Sequence, residues 1–378
     1  MSRIAEVDIY FTWIGREETI APDMFNRNVA LFPIAREVSR LDIVLRHSFH
    51  FLESRHFVPR VLDTGKRYDV IYAHDLPTSF AASRLAKKMD AKIVYDVHDL
   101  YIETINQFFP ARAPLWKKMI FRVLVTSMKA VGTIWERRFI RGASLVVTTN
   151  LNYARYLSDR YRISHTKVVA NYPEYKEVGK SRKLYEVLRV SPGKGLVVYH
   201  GMLNRGRSLE LIVGSAQYFD DRNILVIIGN GPLEGVLRTL VSERKLSQKV
   251  KFLGHVPYEE LFSYTSAATL GLMLIEHINL SKKYATANKV TEYMACGVPV
   301  LASDSPENRR IIAEAECGFV RDFHSERELG EFINQITREK AELATLGRNG
   351  REAVKGKFNW EHQEPLFLHF IEGLLVNS

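Results

Sequence analysis

The segment ANKVTEYMACGVPVLASDSPENRRII, residues 287–312, carries the strongest structural signal in the chain. Its first part predicts a helix from about Asn288 to Ala295, and Gly297 ends this helix because glycine adopts the left-handed conformation of a helix C-terminus at little cost. The apolar run VPVLAS predicts a strand, and another helix is expected to start within Ser303 to Glu307. A helix, a buried strand and a helix in direct succession indicate one unit of a parallel α/β sheet.

The same alternation extends from this segment towards the N-terminus. In the C-terminal half, the strand and helix patterns are GLVVYHG (195–201), SLELIVGSAQYF (208–219), NILVIIGNG (223–231), PLEGVLRTLVSERK (232–245) and KVKFLGHV (249–256). In the N-terminal half, the candidate strands are Val7 to Phe11, Asp42 to Leu45, Val70 to Ala73, Lys92 to Asp96 and Ser144 to Thr148. Parallel sheets with helices on both faces produce this pattern, so we expect α/β domains of the doubly wound, Rossmann-like kind.

A polar, basic segment between about Asn171 and Gly195 interrupts the alternation and predicts a linker. The expected domains are residues 1–175, a linker at 176–195, residues 196–355, and a closing helix at 356–378 that packs back towards the N-terminal domain. A chain of 378 residues agrees with two hydrophobic cores. Ligands of open parallel sheets bind beyond the carboxyl ends of the strands, so the two domains are expected to face a ligand-binding cleft.

Composition narrows the class of protein. A net charge of +10 and a pI of about 9.4 favour an anionic partner, which could be a nucleotide, a nucleic acid or an anionic membrane surface. The two cysteines, Cys296 and Cys317, lie in apolar segments and support neither a disulfide framework nor a zinc cluster. The N-terminus lacks the pattern of a signal peptide, and Arg122 and Lys129 interrupt the most apolar stretch. These features predict a cytoplasmic protein that does not span the membrane.

Polar residues follow two strands of the N-terminal half. His74 and Asp75 end one strand in DVIYAHDLPTS, and Asp96, His98 and Asp99 end the next in KIVYDVHDLYIE. A histidine at this edge can donate a hydrogen bond to a sugar hydroxyl or polarise a reacting group. The alternative is that these residues, the two aspartates above all, cap the helices that follow.

Two glycine turns follow strands of the C-terminal half. Gly201 opens the segment GMLNRGRSLELI, in which Arg207 stands at a helix start, where a guanidinium and free backbone N–H groups can bind phosphate. Arg205 fits either the same role or that of a solvated loop charge. Gly229 and Gly231 form the second turn, in GNGPLE.

The helix that begins at Asn288 places Lys289 at its N-terminus and Glu292 one turn later. A lysine there can neutralise a diphosphate, and the carboxylate can accept hydrogen bonds from the two hydroxyls of a ribose. The alternative is a surface helix whose early glutamate is favoured by the helix dipole.

Together these motifs resemble the glycosyltransferase family 4 group, whose members have the GT-B fold. The resemblance runs from about residue 65 to 325 through YDVHDLYIE, YHGMLNRGRSLELI, IIGNGPLE, FLGHVPYEEL and, most specifically, NKVTEYMACGVPVLASD. It implies retaining transfer from a nucleotide-diphosphate sugar, which is a substrate, with no cofactor and no bound metal. The sequence is consistent with transfer without a metal, since it has no Asp-x-Asp triplet to hold a cation on the diphosphate.

The resemblance also implies roles for individual residues. Glu292 would bind the donor ribose and His98 would lie near the donor sugar, so these two are the predicted catalytic residues. The predicted nucleotide-sugar-binding residues are Gly201, Arg205, Arg207, Gly229, Gly231, Asn288, Lys289 and Glu292. In such enzymes the leaving phosphate is thought to take the acceptor proton on the face of attack, so no side-chain nucleophile is needed.

The chain departs from the family pattern in three places. Tyr284 stands where the family often has a first glutamate, and Glu276 could replace it only if the intervening loop folds back. Gly201-Met202 replaces the usual glycine-arginine pair, and FTWIGREETIAPDMFNRN replaces a double-glycine loop near the N-terminus. Arg205 or Arg207 would then have to supply the missing phosphate-binding charge.

A basic helix is predicted over residues 114–141. Apolar residues recur there at helical spacing, and seven cations stand against one acid, Glu136. Such a helix can lie in the interface of an anionic membrane, where each cation near the surface adds about 1 kcal/mol of binding free energy. The alternative is an amphipathic helix that packs on its own domain.

The function predicted from the sequence is hexosyl transfer from a UDP- or GDP-sugar to a saccharide or lipid-linked saccharide in cell-surface glycan biosynthesis. The expected location is the cytoplasm, with or without peripheral contact on the inner face of the membrane. A nucleotide-sugar epimerase of the same fold is the alternative. An anion- or nucleic-acid-binding protein is disfavoured because the basic residues do not form a stripe interleaved with stacking aromatics.

Overall fold

The computed structural model describes residues 6–13, 28–35, 49–108, 114–286 and 288–376. The chain divides into two compact units. The N-terminal unit comprises residues 1–170 and 364–378, and the C-terminal unit comprises residues 171–363. Within the described ranges, no helix is both long enough and apolar enough to span a bilayer.

The N-terminal unit contains a four-stranded parallel sheet and a separate parallel pair of strands. Its strands are β1 (Val7–Trp13), β2 (Val29–Ala35), β3 (Val70–His74), β4 (Lys92–Val97), β5 (Leu145–Thr148) and β6 (Thr166–Val168). Its helices are α1 (Phe57–Leu62), α2 (Asp75–Met89), α3 (Tyr101–Thr104), α4 (Leu115–Gly142) and α5 (Leu151–Tyr161), with 3-10 turns at His50–His56 and Ile105–Phe108. The order in the larger sheet is β3-β4-β5-β6, and β1 pairs with β2.

The C-terminal unit is built on a six-stranded parallel sheet. Its strands are β7 (Gly195–His200), β8 (Asn223–Ile228), β9 (Val250–Gly254), β10 (Leu270–Met273), β11 (Val300–Ala302) and β12 (Gly318–Val320). The helices are α6 (Lys183–Leu188), α7 (Leu209–Ser215), α8 (Glu234–Glu243), α9 (Tyr258–Thr265), α10 (Leu280–Tyr284), α11 (Asn288–Ala295), α12 (Pro306–Ala315), α13 (Glu326–Ile336) and α14 (Lys340–Gly356), with a 3-10 turn at Ala216–Tyr218. The last helix, α15 (Trp360–Val376), only begins in this unit. The strand order is β12-β11-β10-β7-β8-β9.

The predicted α/β class and the helix from Asn288 to Ala295 are confirmed. The predicted strand Asp42 to Leu45 lies outside the described residues. The segment predicted as a linker differs from expectation because it contains α6, whose Leu184 is fully buried. The closing helix α15 starts in the C-terminal unit, and its residues from 364 onward belong to the N-terminal unit.

Tyr293 attaches α11 to the central strands of the C-terminal sheet. Its ring lies so close to Gly271 of β10 that a Cβ atom at that glycine would come within 2.4 Å of it. Its hydroxyl donates a hydrogen bond to the carbonyl oxygen of Val198 at 3.0 Å and accepts one from the backbone N–H of His200 at 3.2 Å. The helix is therefore fixed at the end of β7, where the sequence predicts ligand binding.

A buried carboxylate joins α4 to the N-terminal sheet. The Glu136 carboxylate accepts hydrogen bonds from the hydroxyls of Tyr95 (2.9 Å) and Tyr161. Burial raises the pKa of Glu136, whereas the two hydroxyl donors oppose that shift. The two hydrogen bonds offset part of the free-energy cost of burying the carboxyl group.

The substitution Tyr161→Phe should lower the free energy of unfolding by about 1–3 kcal/mol, because it leaves one oxygen of the buried Glu136 without its donor. Urea denaturation monitored by tryptophan fluorescence measures the change. Tyr218→Phe is the control, since Tyr218 is 38% exposed and should tolerate loss of its hydroxyl. Equal stability of the two variants would contradict a stabilising role for the Tyr161–Glu136 hydrogen bond.

Candidate functional site

The loops after β7 and β8 approach each other backbone to backbone in the C-terminal unit. Gly201 has φ +120° and Gly229 has φ +132°, in the region that favours glycine. A Cβ atom at Gly229 would lie only 2.1 Å from the carbonyl oxygen of Gly201. The backbone at Gly231 likewise lies directly against the backbone of Leu203. The N–H of Leu203 donates a hydrogen bond to the carbonyl oxygen of Asn230 at 2.8 Å. Glycines are therefore required for the two loops to form one edge.

Lys289 lies against this edge. Its Nζ and Cε atoms are each 2.7 Å from the position that a Cβ atom of Gly201 would take, and its Nζ is 5.3 Å from the centre of the Tyr199 ring. The side chain is 9% exposed. Burial, together with the Arg207 guanidinium, lowers the pKa of the Lys289 ammonium to about 7, against the opposing effect of Glu292. An anion bound here would favour the charged form.

Glu292 stands one turn after Lys289 on α11, beside the last residue of β7. Its Oε2 lies 3.6 Å from Nδ1 of His200. Burial raises the pKa of the Glu292 carboxyl, which Lys289 and Tyr258 oppose. Burial, with help from Lys289, lowers the pKa of His200 to about 3, so its imidazole is neutral. Its Nε2 has no hydrogen-bond partner among the described residues.

The remaining predicted residues lie around this group. Arg207 is half-buried and donates from Nε to Oδ1 of Asn204 at 3.1 Å. It precedes α7, which has no side-chain N-cap and so leaves backbone N–H groups available. Arg205 and Asn288 are exposed, and Asn288 is the first residue of α11. The backbone N–H of Glu276 donates to the carbonyl oxygen of Gly206 at 3.2 Å, so the loop after β10 does reach this edge.

A second polar group ends β3 and β4 in the N-terminal unit. His74 and Asp96 are paired in register, and His98 follows two residues later. Oδ2 of Asp96 lies 3.1 Å from Nδ1 of His74 and 3.0 Å from Nε2 of His98. Burial raises the pKa of Asp96, but the two histidines outweigh it and bring the value to about 2. The hydrogen bond to Asp96 raises the pKa of His74.

Asp75 fixes the loop that carries His98. Its backbone has φ +60°, which is strained for a residue other than glycine. Its Oδ1 accepts hydrogen bonds from the backbone N–H groups of His98 (2.7 Å) and Asp99 (3.2 Å). The alternative that Asp75 caps its own helix is therefore wrong, since the carboxylate instead bridges two strand ends. Burial raises the pKa of Asp75 to about 6.

Two groups of the described residues offer ligand atoms. His74, Asp96 and His98 each present one atom within 4.8 Å of the others, a spacing that a divalent cation could use. Lys289, Arg207 and the glycine loops suit an anion instead. His200 was missed at the sequence level, although its position at the end of β7 could have identified it. Asp75 is among the candidates at the strand ends. Its bridging contacts depend on strand register, so the sequence around Asp75 does not predict them.

Two family models match adjacent parts of the chain. One is described as "Glycosyl transferase 4-like domain" and matches residues 18–173. The other is described as "Glycosyl transferases group 1" and matches residues 181–353.

Curated relatives agree with these matches. A GDP-mannose-dependent monoacylated alpha-(1-6)-phosphatidylinositol monomannoside mannosyltransferase of Corynebacterium glutamicum is 30% identical over 138 residues, 36% of this chain and 35% of the relative. The human GDP-Man:Man(3)GlcNAc(2)-PP-Dol alpha-1,2-mannosyltransferase is 30% identical over 142 residues, 36% of this chain and 27% of the relative. These alignments thus span about a third or less of each relative's length.

Solved structures share the fold over nearly the whole chain. Sucrose-phosphate synthase from Thermosynechococcus elongatus has a TM-score of 0.77 at 20% identity, covering 99% of this chain and 90% of that one. HepE from Anabaena, in complex with UDP and glucose, has a TM-score of 0.72 at 16% identity, covering 97% and 99%. The fold is therefore GT-B. With the two family models, this places the chain among the glycosyltransferases of the family 4 type.

The substitution Asp96→Asn should lower the pKa of His74, because it removes the carboxylate that favours the charged imidazole. NMR titration of the histidine ring protons measures this value. Asp90→Asn serves as the control, since Asp90 is an exposed residue at the opposite end of α2. An unchanged pKa of His74 in Asp96→Asn would refute the shared hydrogen bond.

Proposed function

We propose that the protein is a retaining glycosyltransferase that moves a hexosyl group from a nucleotide-diphosphate sugar to a saccharide or lipid-linked saccharide. The observation that carries this proposal is the convergence of Lys289, Arg207 and Glu292 on the glycine edge of the C-terminal sheet. Family membership supports the reaction class. The proposed role is in cell-surface glycan biosynthesis.

Lys289, Arg207 and backbone N–H groups would meet the charge of the diphosphate, and Glu292 would accept hydrogen bonds from the ribose hydroxyls. His98 is assigned to the donor sugar, with Asp96 and Asp75 as its positioning residues. Transfer breaks the bond between the anomeric carbon and the phosphate oxygen and forms one to the acceptor oxygen on the same face. The acceptor proton passes to the leaving phosphate, so the side chains bind and stabilise charge without forming a covalent bond.

GDP-mannose is the donor we favour among the UDP- and GDP-sugars. The two relatives at 30% identity are named as mannosyltransferases that use GDP-mannose or GDP-Man. The structure solved with UDP and glucose is more distant, at 16% identity.

Glu276 is proposed to act on the donor sugar in place of the acid missing at Tyr284, because its backbone contacts the loop that carries Arg207.

Lys289→Ala should weaken nucleoside diphosphate binding more than tenfold, because it removes a charge-assisted contact worth about 1.5–3 kcal/mol. Glu292→Gln should reduce transfer by a similar factor while leaving the protein folded. Calorimetric titration with GDP, UDP and NAD in the presence of a chelator measures binding and identifies the base. The matched control is Lys283→Ala, an exposed lysine on the preceding helix.

The pH dependence gives an independent measurement of the same contact. Since the pKa of Lys289 is about 7 in the unliganded site, the amine loses its charge above that pH and must regain a proton to hold the anion. Affinity should therefore fall as the pH rises above 7, and this fall should disappear in Lys289→Ala. Binding of NAD alone, or full affinity in Lys289→Ala, would overturn the proposed nucleotide site.

We also propose that α4 docks on an anionic membrane. The helix has two apolar faces: Met128, Gly132 and Phe139 are buried on one, and the other is exposed to solvent. The exposed face carries Leu115, Trp116, Met119, Ile120, Val123, Leu124, Val131 and Ile134, with exposures from 45% to 82%. Cations border it, and a patch of this kind is typical of a membrane or protein interface. The burial observed for α4 thus does not explain its exposed apolar face.

Replacing Trp116, Met119 and Val123 with serine should reduce binding to anionic vesicles by at least about a hundredfold, because each side chain would lose burial worth about 1 kcal/mol or more. Co-sedimentation with vesicles measures the effect. Val236→Ser is the control, since Val236 is 54% exposed in the C-terminal unit. A wild-type protein that ignores vesicles but forms a dimer dissociated by the triple substitution would show that α4 is a protein interface instead.

A further inference from the structure

The last turns of α4 line a basic cavity of about 780 Å³ that the proposed glycosyl transfer does not use. The cavity lies between the end of α2, the start of β4 and the C-terminal part of α4, all within the N-terminal unit. Its charged lining residues are Lys87, Asp90, Arg137, Arg138 and Arg141. Four cations against one carboxylate make it a site for an anion.

The cavity is separate from the group of polar residues around His98. Strand β4 begins beside the cavity, where Ile93 lines it, and ends at Val97, next to His98. A strand of six residues extends about 20 Å, so the cavity lies at the N-terminal ends of the strands and His98 at their C-terminal ends. An anion in the cavity would therefore not be the donor or the sugar that receives the transferred group.

Packing and hydrogen bonds hold one wall of the cavity in place, and two of its arginines form no ion pair with the described residues. Trp135 stacks on Phe51 and donates from Nε1 to Oγ of Ser79 at 2.9 Å, and Arg141 donates from Nε to the carbonyl oxygen of Tyr161 at 2.9 Å. Arg137 and Arg138 are exposed and form no ion pair with any residue that the structure describes. A guanidinium presents two parallel N–H groups that match phosphate oxygens.

The cavity continues the exposed apolar face of α4. Ile134, which is 71% exposed, belongs to that face and also lines the cavity. Arg137, Arg138 and Arg141 follow it at three, four and seven residues, so all four side chains lie on the same side of the helix. One face thus changes from apolar to cationic within its last two turns. A phospholipid has the matching order of groups, an apolar acyl chain followed by a negatively charged phosphate.

We propose that this cavity binds the phosphate headgroup of an anionic glycerophospholipid in the membrane on which α4 lies. The inference rests on the membrane docking proposed above and adds a specific headgroup site to it. A small soluble phosphate would share the contacts to Arg137 and Arg138. It would gain nothing from the apolar face beside them, and for that reason the lipid is the favoured source.

The test compares pairs of substitutions on the same helix. Arg137→Gln with Arg138→Gln removes two charges inside the cavity, and Lys117→Gln with Lys118→Gln removes two charges near the other end of α4. Binding to vesicles of phosphatidylcholine and phosphatidylglycerol is measured by co-sedimentation at low and high salt. The arginine pair should lose at least about tenfold more affinity than the lysine pair, because it also loses charge-assisted hydrogen bonds. The difference should persist at high salt, which screens the general attraction.

A third variant separates geometry from charge. Arg137→Lys with Arg138→Lys keeps both charges but lacks the two parallel N–H groups of a guanidinium. This variant should therefore bind phosphatidylglycerol vesicles more weakly than the wild type. Equal losses in the arginine and lysine pairs would leave only general attraction and would overturn the headgroup site. Binding of glycerol 3-phosphate as tight as that of the vesicles, lost in the arginine pair, would assign the cavity to a soluble phosphate instead.

The outcomes remain distinct from those that test the enzyme. Titration with GDP or UDP should give the wild-type affinity in all three pairs, which also shows that the variants are folded. Loss of vesicle binding with intact nucleotide binding concerns α4 alone. A wild-type protein that binds the nucleotide but no vesicles would overturn the headgroup proposal while leaving the glycosyltransferase proposal in place.

Discussion

The close approach of the backbones of Gly201 and Gly229 is the constraint on which the candidate nucleotide site depends. Because no side chain separates these loops, the ends of β7 and β8 form one continuous edge, and Lys289 fits directly against it. Tyr293 fixes α11 in the orientation that brings Lys289 there, and its contact with Gly271 again requires a glycine. The buried ammonium, with its pKa near 7, is a consequence of this packing. A residue that is unfavourable in the empty protein becomes favourable once an anion is bound.

Local patterns were sufficient to predict the fold class and much of the candidate site. The α/β alternation and the helix from Asn288 to Ala295 follow from periodicity and glycine punctuation, which act over a few residues. The start of a helix indicated Lys289 as a candidate, and the rule that ligands bind at strand ends indicated His98. It could also have identified His200, which was read as part of a buried strand. The function of Asp75 was not accessible in the same way, because its carboxylate reaches His98 through the pairing of β3 with β4 and through a strained backbone.

Helix α4 shows a different limit of sequence reasoning. Apolar residues occur around most of its circumference, so composition cannot reveal which face packs and which faces solvent. Its 28 residues extend about 42 Å, twice the length of the neighbouring strand β4, and much of the helix therefore has little of the sheet to cover it. The burial of each side chain decides the question that the sequence left open. The buried face packs on the N-terminal unit, and the exposed face is of the kind that marks interaction sites.

The distribution of charge connects this helix to the basic composition of the whole chain. Residues 114–141 carry seven cations and one acid, so this one segment has a net charge of +6, whereas the whole chain has a net charge of +10. Its only acid, Glu136, is buried against Tyr95 and Tyr161, and the exposed charges of the helix are therefore all positive. An uneven distribution of this kind orients a protein in the field of a charged surface before any contact is made. The same helix would then meet an anionic bilayer with its apolar face, so long-range attraction and short-range burial would act on the same side of the molecule.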